Sequence, residues 1–181
     1  EPDRSLQQPA PAAGAQGADA LAGMNADLYQ YRPPIDLDNA RLRKLAAALG
    51  PAYLRVSGTW ANTTYFSATD QPPGAPPAGF KGVLSRAQWK GVVDFARAVN
   101  AQIVASFATG AGTRDAAGVW TAEQAARLVD YTSAVGGRIA AAEFMNEPNL
   151  AVMGGAPAGY DAAAYGRDFQ RFHAFARAAA P

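Results

Sequence analysis

The sequence predicts an α/β fold with parallel strands, on three observations. Short apolar strand candidates alternate with amphipathic helix candidates along the chain, an order that parallel strands with right-handed crossovers satisfy. One of those strands, within Arg138 to Leu150, runs straight into Asn146-Glu147-Pro148. The proline stops ladder pairing there, which leaves a carboxylate at the carboxyl end of a sheet, where parallel α/β architectures carry their chemistry. Finally, no Gly-x-Gly-x-x-Gly follows the first strand, which weakens a nucleotide-binding doubly wound sheet against its rival, a (β/α)8 barrel. Four strand–helix units amount to half of a barrel that typically takes about 250 residues, so a chain of 181 residues reads as incomplete.

Residues 1–19 are rich in Pro, Ala, Gly and Gln without periodicity, and are expected to form a tail or a segment pairing outside the barrel. Residues 20–181 are then the barrel portion. Its first strand falls between Ala20 and Leu28. Asp38 or Asn39 caps a helix whose Leu42, Leu45 and Leu49 recur at helical spacing and which Gly50-Pro51 stops. Tyr53 to Ser57 is the next strand, running into Gly58-Thr59-Trp60-Ala61-Asn62. The clustered prolines and glycines of Ser67 to Gly82 predict a surface loop. Ser85 with Gln88 forms a capping box ahead of the stripe Trp89, Val92, Val93, Ala96 and Val99. The strand Gln102 to Phe107 and a glycine-rich loop follow. Thr121 with Gln124 predicts a second capping box, opening a helix that Gly136-Gly137 ends. After the Asn146-Glu147-Pro148 strand and a Gly/Pro loop over Met153 to Gly159, Asp161 opens a last helix with Tyr165, Phe169, Phe172 and Ala176 facing inward.

Composition narrows the function classes. The chain is 49% hydrophobic and 17% charged, which suits a globular core. A net charge of +1 gives no electrostatic case for nucleic acid, an anionic membrane or a polyanion. There is no cysteine, so thiol catalysis and disulfides are excluded. No apolar run approaches the roughly 20 residues of a membrane span, and the opening Glu1-Pro2-Asp3-Arg4 is not a signal peptide.

Glu147 is the candidate general acid. A glutamate at the rim of a parallel barrel, with Phe144 and Met145 behind it, can lose solvation so that its protonated form is favoured. Asn146 beside it is a two-way hydrogen-bonding group suited to a sugar hydroxyl. The tripeptide alone fits equally well a turn whose glutamate caps a neighbouring group. Glu143, on the same side of the expected strand, is a poor second catalytic carboxylate: four residues of strand span roughly 13 Å, whereas retaining glycosidases hold their pair about 5 to 5.5 Å apart. Pairing with Arg55 of the neighbouring strand is the expected role for Glu143. Thr59, Trp60 and Asn62 should lie on the same active face, with a packed loop tryptophan an equal reading of Trp60. Asn62-Thr63-Thr64 fits a glycosylation sequon. His173, the only histidine, has no metal-ligand spacing around it and reads as a surface or core-edge residue.

On these residues the sequence resembles the heparanase and β-glucuronidase family of retaining glycoside hydrolases (family 79, clan A). The resemblance runs from about Ala20 to Arg177 and is carried by Leu45-Ala46 through Gly50-Pro51-Ala52-Tyr53-Leu54-Arg55-Val56-Ser57-Gly58-Thr59, by Gly118-Val119-Trp120 through Leu128-Val129-Asp130-Tyr131, and by Glu143-Phe144-Met145-Asn146-Glu147-Pro148-Asn149. It implies a (β/α)8 TIM barrel, with this chain covering roughly the N-terminal half (strands 1–4). It implies that Glu147 is the acid/base, that Asn146 contacts the 2-hydroxyl of the sugar, that Thr59 helps hold the glucuronate, and that Asn25 or Asp27 makes a further sugar contact. Trp60 joins these as a candidate substrate contact.

The family's nucleophile, a glutamate late in the barrel, has no counterpart here, so a second polypeptide completing the barrel is the expected partner. The substrate would contain glucuronic acid, no cofactor or metal is needed, and the location would be secreted or periplasmic. Where heparanase has lysines for a sulfated chain, Leu150 to Gly159 has none, which favours a plainer β-glucuronide over heparan sulfate. Asn-Glu-Pro-Asn-Leu also resembles β-xylosidases of the same clan, and a non-catalytic carbohydrate-binding half barrel is the remaining alternative.

Overall fold

In the computed structural model, residues 36–71 and 73–179 are described. The expected tail, the first strand and the candidates Asn25 and Asp27 lie outside them. The architecture is mixed α/β. Strands β1 (Ala52–Val56), β4 (Ala101–Ser106) and β5 (Ile139–Glu143) form one sheet in the order β1-β4-β5, parallel throughout. Strands β2 (Thr64–Phe66) and β3 (Gly82–Leu84) form a second, parallel pair. They flank the expected proline loop, and at three residues each they are too short to show a period.

Four helices accompany the strands. Helix α1 (Ala40–Ala47) is capped by Asn39, whose side chain accepts the Leu42 N–H at 2.9 Å. Its leucine stripe does not form a buried face: Leu45 is exposed, and Leu49 lies beyond the helix end and is exposed too. Helix α2 (Arg86–Ala98) begins with the capping box as expected, Ser85 accepting the Gln88 N–H and Gln88 accepting the Ser85 N–H. Trp89, Val92, Val93, Phe95 and Ala96 are all buried. Helix α3 (Glu123–Ala134) lacks the second capping box. Gln124 is drawn instead to the Phe66 N–H at 2.8 Å, and the Thr121 hydroxyl to the Thr113 carbonyl. A buried β-strand N–H outcompeted the helix end for the same amide. The Trp89 indole donates to the Thr132 hydroxyl at 2.7 Å and ties α2 to α3.

Helix α4 (Ala162–Ala179) starts from Asp161, whose carboxylate accepts the Ala164 N–H. Phe172 is buried, but Phe169 is 41% exposed, contrary to the inward stripe. The cause is topological: among the described residues β5 pairs on one side only, so part of the α4 face has nothing beyond it. The buried part seats the functional loop. Phe144 lies 5.2 Å from Phe172 and 5.6 Å from Trp120, centroid to centroid, so the residue just after β5 is held in an aromatic cluster. His173 is exposed and stacks on Phe169.

Candidate active site

All three parallel strands of the larger sheet deliver polar side chains to one face at their carboxyl ends. The register pairs Ser106 with Glu143 and Arg55 with Val104, and alternation places Arg55, Ser57, Ser106 and Glu143 together. Arg55 donates to Glu143 through Nε at 2.7 Å and through Nη2 at 2.8 Å. The Ser57 and Ser106 hydroxyls, themselves in contact, each reach Glu143 Oε2 at 2.9 Å. The Arg55 guanidinium, ahead of the two hydroxyls, holds the Glu143 carboxyl below its ordinary range, and Glu143 in turn raises Arg55. The expected Arg55–Glu143 pair is therefore present.

Glu147 is not a continuation of that strand. Pairing ends at Glu143, and Glu147 takes the left-handed conformation, φ 51° and ψ 63°. Pro148 disfavours the right-handed helical alternative for the residue before it, and a left-handed non-glycine costs on the order of 1 to 3 kcal/mol, a strain that gathers at functional positions. The expectation that Glu143 and Glu147 share one side of one strand is corrected accordingly. Glu147 is also exposed while Phe144 and Met145 are buried, so those two do not withdraw its carboxylate from water as the sequence suggested.

Two loops meet at Glu147, its own after β5 and the one after β1. Thr59, two residues beyond Ser57, donates its hydroxyl to Glu147 Oε2 at 2.6 Å. Asn146 Nδ2 donates to the same oxygen at 3.1 Å and lies 3.3 Å from the Thr59 hydroxyl. On its other side Asn146 Oδ1 accepts from Arg55 Nη2 at 3.1 Å. Thus Thr59, Asn146 and Glu147 come together as predicted. Trp60 does not join them: it is partly buried against the core and lines a small cavity with Phe66, Leu84 and Trp89, which is the packed-tryptophan reading.

Asn62 has a role that the sequon obscured. It is fully buried, and its amide pairs twice with the peptide of Asn146, accepting the N–H and donating to the C=O, each at 3.1 Å. Its own carbonyl accepts the N–H groups of Thr109 and Gly110. A Cβ on Gly154 would come within 2.7 Å of Asn62 Nδ2, and one on Gly155 within 2.3 Å of Thr63, so only glycines let the following loop close over this anchor. With its side chain so engaged, folded Asn62 is not offered for glycosylation. The signal was present in the sequence as Asn62 beyond a strand end, but nothing local distinguishes a clamp from a turn residue.

No family model matches this chain, and no curated protein matches it. What the site can do rests on its own geometry: an exposed carboxylate with one oxygen held by two donors, beside a second carboxylate already satisfied by a cation. Among the described residues no group of three His, Cys, Asp or Glu side chains could hold a metal, and no helix is long and apolar enough to cross a membrane.

Proposed function

We propose that this chain carries the acid/base half of a retaining glycoside hydrolase acting on β-glucuronides, in the N-terminal half of a (β/α)8 barrel. The observation that carries the reading is Glu147, presented to solvent at the carboxyl ends of parallel strands and oriented by Thr59 and Asn146. Carboxyl ends of parallel strands are where barrel enzymes place their catalytic groups. Glu147 protonates the glycosidic oxygen as a carboxylate nucleophile attacks the anomeric carbon, and then deprotonates the water that releases the sugar.

Glu143 is not that nucleophile, because its oxygens are engaged by Arg55, Ser57 and Ser106. The nucleophile of this reading belongs to residues outside the described ones. A secreted or periplasmic location accompanies this reading, and an unsulfated glucuronide, with fewer charges to neutralise than a heparan sulfate chain, suits the cation-free stretch Leu150 to Gly159. The β-xylosidase alternative is separated by comparing aryl glucuronide with aryl xyloside hydrolysis.

The test is Glu147→Gln in the complete catalytic assembly. Turnover of glucuronides with poor leaving groups should fall by about 10² to 10⁴, the range of general acid catalysis. The glycosylation step on activated aryl glucuronides should survive in large part. Equal losses on both classes would remove Glu147 from the acid/base role.

A further inference from the structure

The direction of every hydrogen bond around Glu147 can be deduced from Arg55. A guanidinium only donates, so the Asn146 amide oxygen must face Arg55 Nη2, as it does at 3.1 Å. That leaves the amide N–H groups no choice but the opposite side, where Thr59 Oγ1 and Glu147 Oε2 lie at 3.3 and 3.1 Å. Since Thr59 Oγ1 accepts there, its single proton is free to point at Glu147 Oε2, 2.6 Å away. Among the described residues both donors meet Oε2 and none meets Oε1.

We propose that Thr59 is a positioning residue for Glu147 and not a sugar contact, and that Oε1 is the oxygen through which Glu147 exchanges its proton. The proposal rests on the glycosidase reading. With Oε2 receiving two donors, the acid form carries its proton on Oε1. That proton passes to the glycosidic oxygen as the bond from this oxygen to the anomeric carbon breaks. The leaving group departs as an alcohol, and a carboxylate nucleophile forms an ester with the sugar. In the second half the ester is attacked by water, whose proton returns to Oε1 as the nucleophile carboxylate is released. Thr59 acts by holding the carboxylate plane, so its loss should be felt where proton donation matters and nowhere else.

The two roles of Thr59 differ in what they perturb. A sugar contact acts on all glucuronides alike, whatever their leaving group. A positioning residue acts in proportion to the leaving group's need for a proton. The experiment is kcat/KM for wild type, Thr59→Val, Thr59→Ser and Glu147→Gln in the complete assembly, on an alkyl glucuronide, 4-nitrophenyl glucuronide and 4-nitrophenyl glucoside.

Thr59→Val should lose about tenfold on the alkyl glucuronide, a fraction of the 10² to 10⁴ that general acid catalysis supplies, and under about twofold on the nitrophenyl one. Its preference for glucuronide over glucoside should not change, and Thr59→Ser, which keeps the hydroxyl, should restore the wild-type profile. Thr59→Ala gives the same readout if valine does not fold, judged by its melting curve. A loss equal on both glucuronides, with a higher KM and weaker glucuronide preference, would make Thr59 a sugar contact and overturn the proposal while leaving the glycosidase reading intact. Wild type inactive on the alkyl glucuronide would instead overturn the glycosidase reading, and Glu147→Gln as active as wild type would remove Glu147 from the acid/base role; either result takes this proposal with it.

Discussion

Two arginine–carboxylate pairs sit at opposite depths of the molecule. Arg114 and Asp168 meet at 2.7 Å with side chains 5% and 0% exposed, whereas Arg55 and Glu143, also at 2.7 Å, are 53% and 31% exposed. The buried pair is held by further partners on both sides, with only Arg114 Nε left without one: Arg114 also donates to the Gly118 and Thr109 carbonyls, and Asp168 also accepts from the Tyr160 hydroxyl and the Trp120 N–H. It locks α4 to the loop after β4 and has no opening for a ligand. The open pair leaves a donor over for Asn146 and so passes its geometry on to Glu147. Equal distance therefore hides unequal purpose, and burial is what distinguishes a fastening from a functional face.

That contrast can be broken at its strong end first. Asp168→Ala strands a buried guanidinium, and removing one partner of a buried pair typically costs about 3 to 5 kcal/mol. A denaturant midpoint unchanged by this substitution would show the clamp to be incidental.

At the open pair the expected loss is smaller. Glu143→Gln should cost about 1 kcal/mol or less at neutral pH, the range of exposed ion pairs, with a pH signature. The Glu143 carboxyl is held below its ordinary range in the folded chain, so its contribution is present above the unfolded pKa near 4.3 and is lost as pH falls through the folded value. Melting temperatures of wild type and Glu143→Gln should therefore converge on acidification below about pH 4. Curves that stay parallel would deny that the ion pair is the cause.

An effect of similar size concerns Tyr160, whose hydroxyl is pushed up to about 12, chiefly by burial. A raised value means that the folded chain holds this proton more tightly, so its contribution is complete below about pH 10 and declines as pH rises toward the folded value. Tyr160→Phe should cost about 1 kcal/mol at neutral pH through the lost bond to Asp168, and the gap to wild type should narrow in alkaline melts. A gap that widens with pH would reverse the sign.

Much of the framework was legible because it is written in local signals. The capping box at Ser85 and Gln88, the five-residue stripe of α2, the strands that became β1, β4 and β5, and Asp161 opening α4 are each decided within a few residues. So was the pairing of Arg55 with Glu143, since a carboxylate inside a sheet face requires a cation and a neighbouring strand carried one. Thr121 with Gln124 has the same spacing as Ser85 with Gln88 yet caps nothing, because Phe66, 58 residues away, claimed the amide. The stripes of α1 and α4 were periodic too, but periodicity names a face without naming what covers it.

By itself, then, the order of residues determined an α/β chain of parallel strands and the placing of Thr59, Asn146 and Glu147 near their carboxyl ends, because strand direction and strand termination are local properties. Only the tertiary structure decided that Glu147 leaves the strand in a left-handed turn, that Asn62 clamps the Asn146 peptide, and that Trp60 turns toward the core. Those outcomes depend on which distant group reaches a donor or a cavity first, a competition among separate loops that no single stretch of sequence records.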